Sequence, residues 1–418
     1  MLIKMEVESS YTGKLQVNVV TRENVPVRDA TVTIAASDNP NNIIERLTTN
    51  SSGQTETVDL PAPPLELSLN EANTTRPYTT YNIRIEALGY ETEFIENAEI
   101  LPDVLAIQNV RLTSKNASLT EDIMIPDHTL YGEYPPKVPE EEIKPVNEPG
   151  EIVLSRVVVP EIIVVHDGVP SNNSAQNYYV NYRDYIKNVA SSEIYATWPT
   201  ATIEANVLAI MSFTLNRVYT EWYRNKGYDF TITSSTAYDQ KWIYGRNIFE
   251  SISLVVDNIF DQYLSRPDVR QPILTQYCDG KRVTCPNWLS QWGSCNLGER
   301  GYSTIEIIRY YYGDDMYINT AEQIAGIPIS WPGYDLDIGA SGQKVAQIQE
   351  QLDTIAQVYT AIPRLNADGI YGEVTKEAVK AFQKIFDLPQ SGIVDFATWY
   401  KISQIYVGIT RIAEGIPR

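Results

Sequence analysis

A segment rich in proline and glutamate divides this chain of 418 residues and limits how it can fold. Between residues 116 and 156, prolines alternate with acidic residues, as in Pro135-Pro136-Lys137-Val138-Pro139-Glu140-Glu141-Glu142. Such a segment buries too little apolar surface to fold alone, so we expect an extended and exposed linker. The sequence therefore predicts folded units on both sides of it, and the length leaves room for roughly two to four domains.

Residues 1–115 carry the alternation of apolar and polar residues that is typical of β-strands. Segments 13–20 and 30–34 alternate in this way, and turn residues at 50–53 and 88–90 separate the strands. The pattern predicts a small all-β sandwich of antiparallel strands, without evident chemistry.

Residues 157–333 mix strand and helix patterns. The run 157–165 is rich in valine and isoleucine and predicts a strand. An apolar stripe predicts the longest helix over 203–226, and another helix is expected over about 247–263. We therefore expect a central α+β domain.

Residues 334–410 predict three helices around a small core, because two amphipathic stripes flank a glycine-containing turn at 368–372. The stripes are Val345, Ile348, Leu352 and Ile355, then Ala378, Phe382 and Ile385.

Charge and hydropathy exclude several classes of partner. The formal net charge of −20 argues against nucleic acid and anionic lipid surfaces. No segment approaches the ~20 apolar residues of a membrane span, and the first residues lack the layout of a secretory signal.

The cysteines favour no metal site. Cys278, Cys285 and Cys295 lack the close pairs of a structural zinc site, and both histidines lie far upstream. Buried thiols and a Cys278–Cys285 disulfide both stay open. We expect no metal and no cofactor.

Glu193 is the candidate catalytic residue. Read as a helix, the chain places Tyr182, Ile186, Val189 and Glu193 on one apolar face. A carboxylate there is either a surface residue at a fraying helix end or a desolvated acid. Desolvation raises the pKa of a carboxyl group, which then holds a proton it can donate near neutral pH.

The C-terminal unit resembles the peptidoglycan-binding domain type 1 family. The order Gly339-Ala340-Ser341-Gly342, Asp368-Gly369-Ile370-Tyr371-Gly372, Ala378-Val379-Lys380-Ala381-Phe382-Gln383, Ser391-Gly392-Ile393-Val394-Asp395 carries the resemblance. It implies attachment to cell-wall glycan or peptide. Residues 1–115 similarly resemble the transthyretin-like, carboxypeptidase-regulatory family.

The central unit resembles the sporulation stage II protein D family of glycan-cleaving enzymes. The block around Glu193, the helix containing Ala205-Asn206-Val207-Leu208-Ala209, and Leu289-Ser290-Gln291-Trp292-Gly293 carry this resemblance. It implies that Glu193 is the catalytic acid. It suggests Ser290 and Gln291 as substrate-positioning residues, and the aromatic segment 234–245 suggests Tyr238 and Tyr244.

The order of the four parts resembles that of clostridial spore cortex-lytic enzymes: sandwich 1–115, linker 116–156, catalytic domain 157–333 and wall-binding domain 334–410. The resemblance implies a proenzyme that acts on cortex peptidoglycan during germination, activated by a protease that cuts within residues 150–157. It also implies synthesis in the mother cell and a place in the spore envelope.

A lone acid suits a lytic transglycosylase, because an ordinary glycosidase needs two carboxyl groups. Two alternatives stay open. One is a non-enzymatic wall-binding protein that enhances a partner amidase, and the other is a hydrolase that uses Asp239 as its second carboxylate.

Overall fold

A computed structural model describes residues 11–115, 123–145, 154–326 and 331–413. It shows a multidomain chain of mixed α and β structure. Among the described residues, none of the helices is long and apolar enough to cross a membrane.

Two sheets pack face to face in the N-terminal unit. Its elements are β1 (Thr12–Thr21), β2 (Thr31–Ala36), β3 (Asn39–Thr48), β4 (Val58–Pro61), α1 (Glu66–Leu69), β5 (Thr79–Glu86), β6 (Glu93–Ile100) and β7 (Leu105–Leu112). A further strand, β8 (Ile123–Met124), follows residue 115 and extends one sheet to the order β3-β2-β5-β6-β8. The inward residues of β1, Leu15, Val17 and Val19, are fully buried, which explains the alternation in the sequence.

The sandwich departs from the prediction in one respect. The pairs β2–β3, β2–β5, β5–β6 and β1–β4 are antiparallel as expected, but β1 pairs with β7 in parallel along eight residues. Parallel neighbours come from distant parts of the chain, so local alternation carries no sign of them.

The middle unit is built around a long buried helix. Its elements are β9 (Val158–Val159), β10 (Ile162–His166), β11 (Asn177–Asn181), α2 (Tyr182–Glu193), α3 (Thr200–Tyr219), β12 (Ile232–Thr233), β13 (Ile248–Phe249), α4 (Glu250–Ile259), β14 (Gln262–Ser265), β15 (Tyr277–Cys278), β16 (Leu289–Ser290), α5 (Gln291–Glu299), α6 (Thr304–Tyr312), β17 (Tyr317–Thr320) and β18 (Gln323–Ile324).

Three predicted elements of this unit are shorter than expected. The helix expected over about 247–263 spans only Glu250–Ile259, between two short strands. The strand 157–165 is divided in two at Pro160, because proline offers no N–H to a sheet. The helix predicted over 203–226 ends at Tyr219, and Glu221 then takes a left-handed φ of 45°. A left-handed residue stops an α-helix even where the apolar pattern continues.

The sandwich and the middle unit share a sheet. The strand β13 pairs antiparallel with β7. Beside it, Arg246 forms an ion pair with Glu99 at 2.9 Å, and both side chains are almost fully buried. Burial raises the pKa of Glu99 to about 7, against the opposing effect of Arg246. The two units are therefore joined by backbone pairing and a buried charge pair.

The C-terminal unit has the three predicted helices, α7 (Gln343–Ala356), α8 (Glu373–Ile385) and α9 (Phe396–Ala413). Two glutamines repeat one arrangement in it. The Oε1 atom of each glutamine accepts a hydrogen bond from the N–H of a glycine. Its Nε2 atom donates to the carbonyl of the residue after that glycine and to the hydroxyl of a threonine in the following helix. The partners are Gly369, Ile370 and Thr375 for Gln349, and Gly392, Ile393 and Thr398 for Gln383.

This repeat gives a physical reason for the Asp-Gly-Ile and Ser-Gly-Ile motifs. Gly369 and Gly392 have φ values of +73° and +68°, which residues with a Cβ rarely adopt. The turn brings two backbone groups to one buried amide, so the glycines and glutamines support each other.

The predicted exposed linker is wrong for residues 123–145. His128, Lys137 and Lys144 are buried there, and Glu140 is half-buried. Ile125 and Leu130 of the segment pack into the core, and its acidic and basic side chains find partners on the middle unit. Of the rest of the predicted linker, residues 116–122 and 146–153 lie outside the described residues, and residues 154–156 are half-buried or exposed. The four domain boundaries stay predictions.

Candidate functional site

Glu193 lies at the last position of α2 and is fully inaccessible to solvent. It belongs to a helix that is buried on every side, with Ile186 and Val189 in the core. The C-terminal end of a helix carries partial negative charge, which disfavours a second negative charge there. The helix therefore places a carboxyl group where its ionised form is poorly stabilised.

Three groups surround the carboxyl. The Lys241 N–H donates to Oε1 at 2.6 Å, and Gln291 Nε2 donates to Oε2 at 3.1 Å. The Tyr277 hydroxyl lies near enough to lower the pKa of Glu193, although it does not meet the geometry of a hydrogen bond. Burial is the largest effect and raises the pKa of Glu193 overall. The site therefore favours a protonated acid that is held in one orientation.

A lysine from the linker segment is the nearest opposing charge. The Lys137 ammonium group lies 4.2 Å from the centre of the Tyr277 ring and donates to the Asp239 carbonyl at 2.9 Å. Its charge lowers the pKa of Glu193, while burial lowers the pKa of Lys137 itself. The charges of Lys137 and Glu193 thus oppose the larger effect of burial on each other's pKa.

We call residues 128–144 the strap, because they cross the middle unit over Glu193. At one end, Thr129 Oγ1 donates to the Ser192 carbonyl at 2.6 Å, next to the acid. Further on, the Val138 N–H donates to the Ala237 carbonyl at 2.8 Å. The strap is thus held on both sides of Lys137, whose charge acts on Glu193.

Charged side chains fasten the strap. Arg217, fully buried, contacts the Glu140 carboxylate with both terminal nitrogens. Arg266 binds Glu142 in the same bidentate way. Arg282 donates to strap carbonyls at one end, including that of Thr129 at 2.7 Å. Bidentate guanidinium–carboxylate pairs are among the strongest charge-assisted contacts.

The other predicted site residues have distinct positions. Gln291 contacts Glu193 directly. Ser290 instead caps α5, since its Oγ accepts from the Gly293 N–H at 3.0 Å. Tyr238 is 38% exposed, and Tyr244 is 40% exposed and stacks on Tyr178. A role in substrate binding stays a prediction for all four residues.

Asp239 makes a poor second carboxylate. Its Oδ1 accepts from Arg217 Nε at 2.8 Å, and its Oδ2 accepts from Tyr223 and from two groups of Thr233. Arg217, Tyr223 and Thr233 thus already occupy both oxygens of Asp239 with structural contacts. This geometry argues against the two-carboxylate alternative.

Other acids have structural partners. Glu204 accepts from Thr304 at 3.0 Å, and Glu221 pairs with Arg224. Asp279 accepts backbone N–H groups of residues 281–283 within its own loop.

Sequence reasoning missed two residues beside Glu193. Lys137 sits among glutamates and prolines, a setting typical of a solvated charge. Tyr277 follows no helical or alternating pattern that would distinguish it from a core tyrosine. Their proximity to the acid comes from chain crossings distant in sequence, for which the residues carry no local signal.

Of the two states left open for the cysteines, the structure shows the disulfide: Cys278 and Cys285 are bonded, and Cys295 is a buried free thiol. The bridge closes the loop that contains Arg282. In the part of the chain that the structure describes, histidine, cysteine and acidic residues form no cluster suited to a metal ion.

Comparison with known families matches residues 341–402 to the family described as "Putative peptidoglycan binding domain". The chain therefore carries a peptidoglycan-binding domain, in agreement with its three-helix unit, and this is consistent with association with the cell wall. Comparison with curated proteins finds no match.

Two solved structures share short regions of similarity. The Bacillus anthracis TIE protein is 14% identical over 25% of this chain and 17% of its own, with a TM-score of 0.18. The 3-chlorocatechol 1,2-dioxygenase from Rhodococcus opacus 1CP is 15% identical over 26% of this chain and 61% of its own, with a TM-score of 0.17. The chain spans less than two thirds of either, and scores this low support no argument about fold or function.

Proposed function

We propose that this chain is the inactive precursor of a lytic transglycosylase that cleaves spore cortex peptidoglycan during germination. The observation that carries the proposal is Glu193: a buried, oriented carboxyl of raised pKa, in a chain with a peptidoglycan-binding domain. We also propose that the sandwich is transthyretin-like, that the middle unit is of the stage II protein D type, and that the protein is made in the mother cell and stored in the spore envelope.

The reaction uses one group twice. Protonated Glu193 donates its proton to the oxygen between N-acetylmuramic acid and N-acetylglucosamine as that bond breaks. The resulting carboxylate then takes the proton of the muramyl 6-hydroxyl, whose oxygen closes a 1,6-anhydro ring on C1. The proton balance closes without water. Gln291 and the Lys241 N–H hold the carboxyl in position for both steps.

The strap supports the precursor state. It contributes Tyr134 and Lys137 beside Glu193, which has no exposed surface in the uncut chain, so we expect that a glycan has no path to the acid while the strap is bound. Cutting within residues 150–157 would leave the sandwich and strap, which both precede the cut, held only by non-covalent contacts such as the pairing of β7 with β13, the Arg246–Glu99 pair and the contacts of the strap. Within that range, Val157 is buried and its carbonyl accepts from Glu322, whereas 150–153 lie outside the described residues.

Mass spectrometry of digested cortex tests the proposal. Chain cut in the linker should release anhydro-muropeptides, and uncut chain should not. Glu193→Gln should abolish release, while Glu299→Gln should not, because Glu299 also ends a helix but is exposed. Anhydro products that survive Glu193→Gln would refute the mechanism, and retained wall binding without any cleavage would favour the amidase enhancer.

A further inference from the structure

The sandwich and the strap together cover a face that the middle and C-terminal units share. A cut within residues 150–157 would make them a separate N-terminal fragment, and all three cysteines follow that point, so no disulfide joins the two pieces. We call the covered surface the fragment-binding face and define it by Trp198, Asn247, the strand β13 and Ile385. Its contacts decide whether the fragment leaves after the cut.

The strand β13 extends a sheet of the fragment. It lies antiparallel to β7, with Ile248 opposite Ile107. Next to this pair, Gln108 Nε2 donates to the Gly245 carbonyl at 2.8 Å, and the Gln108 side chain is fully buried. Because backbone pairing requires N–H and carbonyl groups to match along both strands, it fixes the position of the fragment on the face.

Asn247 is devoted to the fragment. Its Oδ1 accepts from the Glu99 N–H and its Nδ2 donates to the Glu99 carbonyl, both at 2.9 Å. Its side chain is fully buried. Among the described residues it makes no other side-chain hydrogen bond, so both of its partners lie on the fragment. The amide therefore serves the contact between the pieces and not the fold of the larger piece.

The neighbouring ion pair contributes fit more than strength. Arg246 and Glu99 are both buried, yet Arg246 Nη1 and Glu99 Oε1 have no hydrogen-bond partner among the described residues. Removing two charges from water cancels much of their attraction, so the pair adds little net affinity. A misplaced fragment would leave one of these charges buried alone, which is costly, so the pair selects the correct arrangement.

Two further contacts extend the face across both units. On the middle unit, Trp198 Nε1 donates to the Ser68 carbonyl at 2.9 Å. On the C-terminal unit, the Ile385 carbonyl accepts from Gln54 Nε2, also at 2.9 Å. The fragment therefore bridges the two units and is held at points well beyond the strap.

The affinity of the face comes from apolar surface. Buried apolar side chains of the sandwich, the middle unit and the C-terminal unit belong to one continuous cluster, which includes Ile100 and Ala106 of the fragment and Phe249 of β13. Interfaces between permanent subunits have this character and resemble a domain core divided in two. The face therefore has the composition of a lasting interface.

We propose that the fragment-binding face keeps the cut N-terminal fragment bound as a separate, non-covalent subunit. The cut then yields a two-chain complex in which Tyr134 and Lys137 of the strap still lie beside Glu193. Glycan cleavage begins as the fragment leaves. This inference rests on the proposed function and deepens its regulation: release of the fragment, and not the cut itself, sets the time at which activity appears.

Association measured without catalysis tests the face. The full chain receives a protease site within 146–153 and is cut to completion, which denaturing electrophoresis verifies. Native mass spectrometry and size-exclusion chromatography then follow the two pieces over time at roughly 1 µM. We expect one complex that contains both pieces. Pieces that separate at once at this concentration would overturn the proposal.

Asn247→Ala should speed release of the fragment by about tenfold or more, because in the complex it leaves the Glu99 N–H and carbonyl buried without partners. Asn258→Ala removes an exposed asparagine of α4 and should leave the release rate unchanged. Gln108→Met, which removes the bond to Gly245, serves as the second variant if Asn247→Ala prevents folding of the uncut chain. A release rate equal to that of wild type in both variants overturns the role of this face.

Glycan cleavage separates this failure from failure of the proposed function. Cut wild-type chain should release anhydro products after a lag, and Asn247→Ala should shorten that lag. Full activity immediately after cutting would overturn the retained fragment and leave the transglycosylase intact. A lasting complex that Asn247→Ala weakens, without any anhydro product even after release, would support the face and contradict the transglycosylase.

Discussion

Replacing Glu140 with glutamine should loosen the strap without disturbing the rest of the fold. Glu140 is the strap residue that pairs with fully buried Arg217 and also with Lys144 at 2.6 Å, and its side chain is only 14% exposed. The substitution keeps the shape and one acceptor but removes the charge. Arg217 then faces a neutral amide on that side and retains only Asp239.

The size of the effect follows from this burial. Removing one partner of a buried ion pair costs about 3–5 kcal/mol. Because glutamine keeps one hydrogen bond and Arg217 keeps Asp239, we expect a cost just below that range, about 2–3 kcal/mol, in the free energy of strap opening. At about 1.4 kcal/mol for each factor of ten, this is roughly a 30- to 150-fold change.

Amide hydrogen exchange measures strap opening directly. The amides of Val138 and Leu274, which bond across the strap, should exchange roughly 30- to 150-fold faster in Glu140→Gln at neutral pH. Glu141→Gln makes the same change of charge one residue away on an exposed side chain and should have little effect. Equal acceleration by both variants, or none in Glu140→Gln, would show that the ion pair does not hold the strap.

The pH dependence has a definite sign. Burial alone would raise the pKa of Glu140, but Arg217 and Lys144 outweigh it and lower the pKa below its ordinary value. A lowered carboxyl pKa contributes stability above the ordinary pKa of about 4.3, and that stability is lost as pH falls through the folded-state value. Wild type and Glu140→Gln should therefore converge in acid.

Three further predictions concern other parts of the chain. Glu193→Gln should lower glycan cleavage by roughly 10²–10⁴-fold. It should also stabilise the fold relative to wild type as pH rises above about 4.3, since the raised pKa of Glu193 makes its ionised form costly in the folded state. A difference in melting temperature between variant and wild type that is the same at pH 4 and at pH 7.5 would contradict this. Replacing Cys278 and Cys285 together with serine should cost about 2.5 kcal/mol in unfolding free energy from loop entropy, measured in urea, and should speed exchange at the strap end held by the bridged loop. Gln383→Met should destabilise the C-terminal unit by about 2–4 kcal/mol, because it leaves several buried groups without partners, whereas Lys384→Met on the exposed face should change its melting temperature little.

Local patterns predicted the elements well where one face of an element meets one core. The alternation in β1 and the stripes of α7 and α8 have this property, so the sandwich strands and the three C-terminal helices appear where expected. The motif order at 341–402 was also sufficient to identify the peptidoglycan-binding domain. Helix α2 was predicted from its apolar stripe, and because Glu193 lies on that stripe, it is buried in the core.

The linker shows where local reasoning fails. Judged by composition, residues 123–145 have too few apolar groups to fold, and alone they have no core. In the chain, Ile125 and Leu130 pack into the core of the neighbouring units. Arg217, Arg266 and Arg282 on the middle unit supply partners for the charges and carbonyls of the segment. Composition reports what a segment can bury by itself, and it cannot report what another unit offers.

By itself, the sequence determined the strand and helix patterns of the two ends of the chain, the wall-binding domain and the single acid at the end of an apolar helix. These depend on periodicity, turn residues and motif order, which are local properties. Only the tertiary structure decided that Lys137 and Tyr277 stand beside Glu193, that Asp239 is already satisfied, and that an acidic strap covers the site. Those features depend on distances between groups far apart in the chain, and burial, charge pairing and pKa follow from such distances.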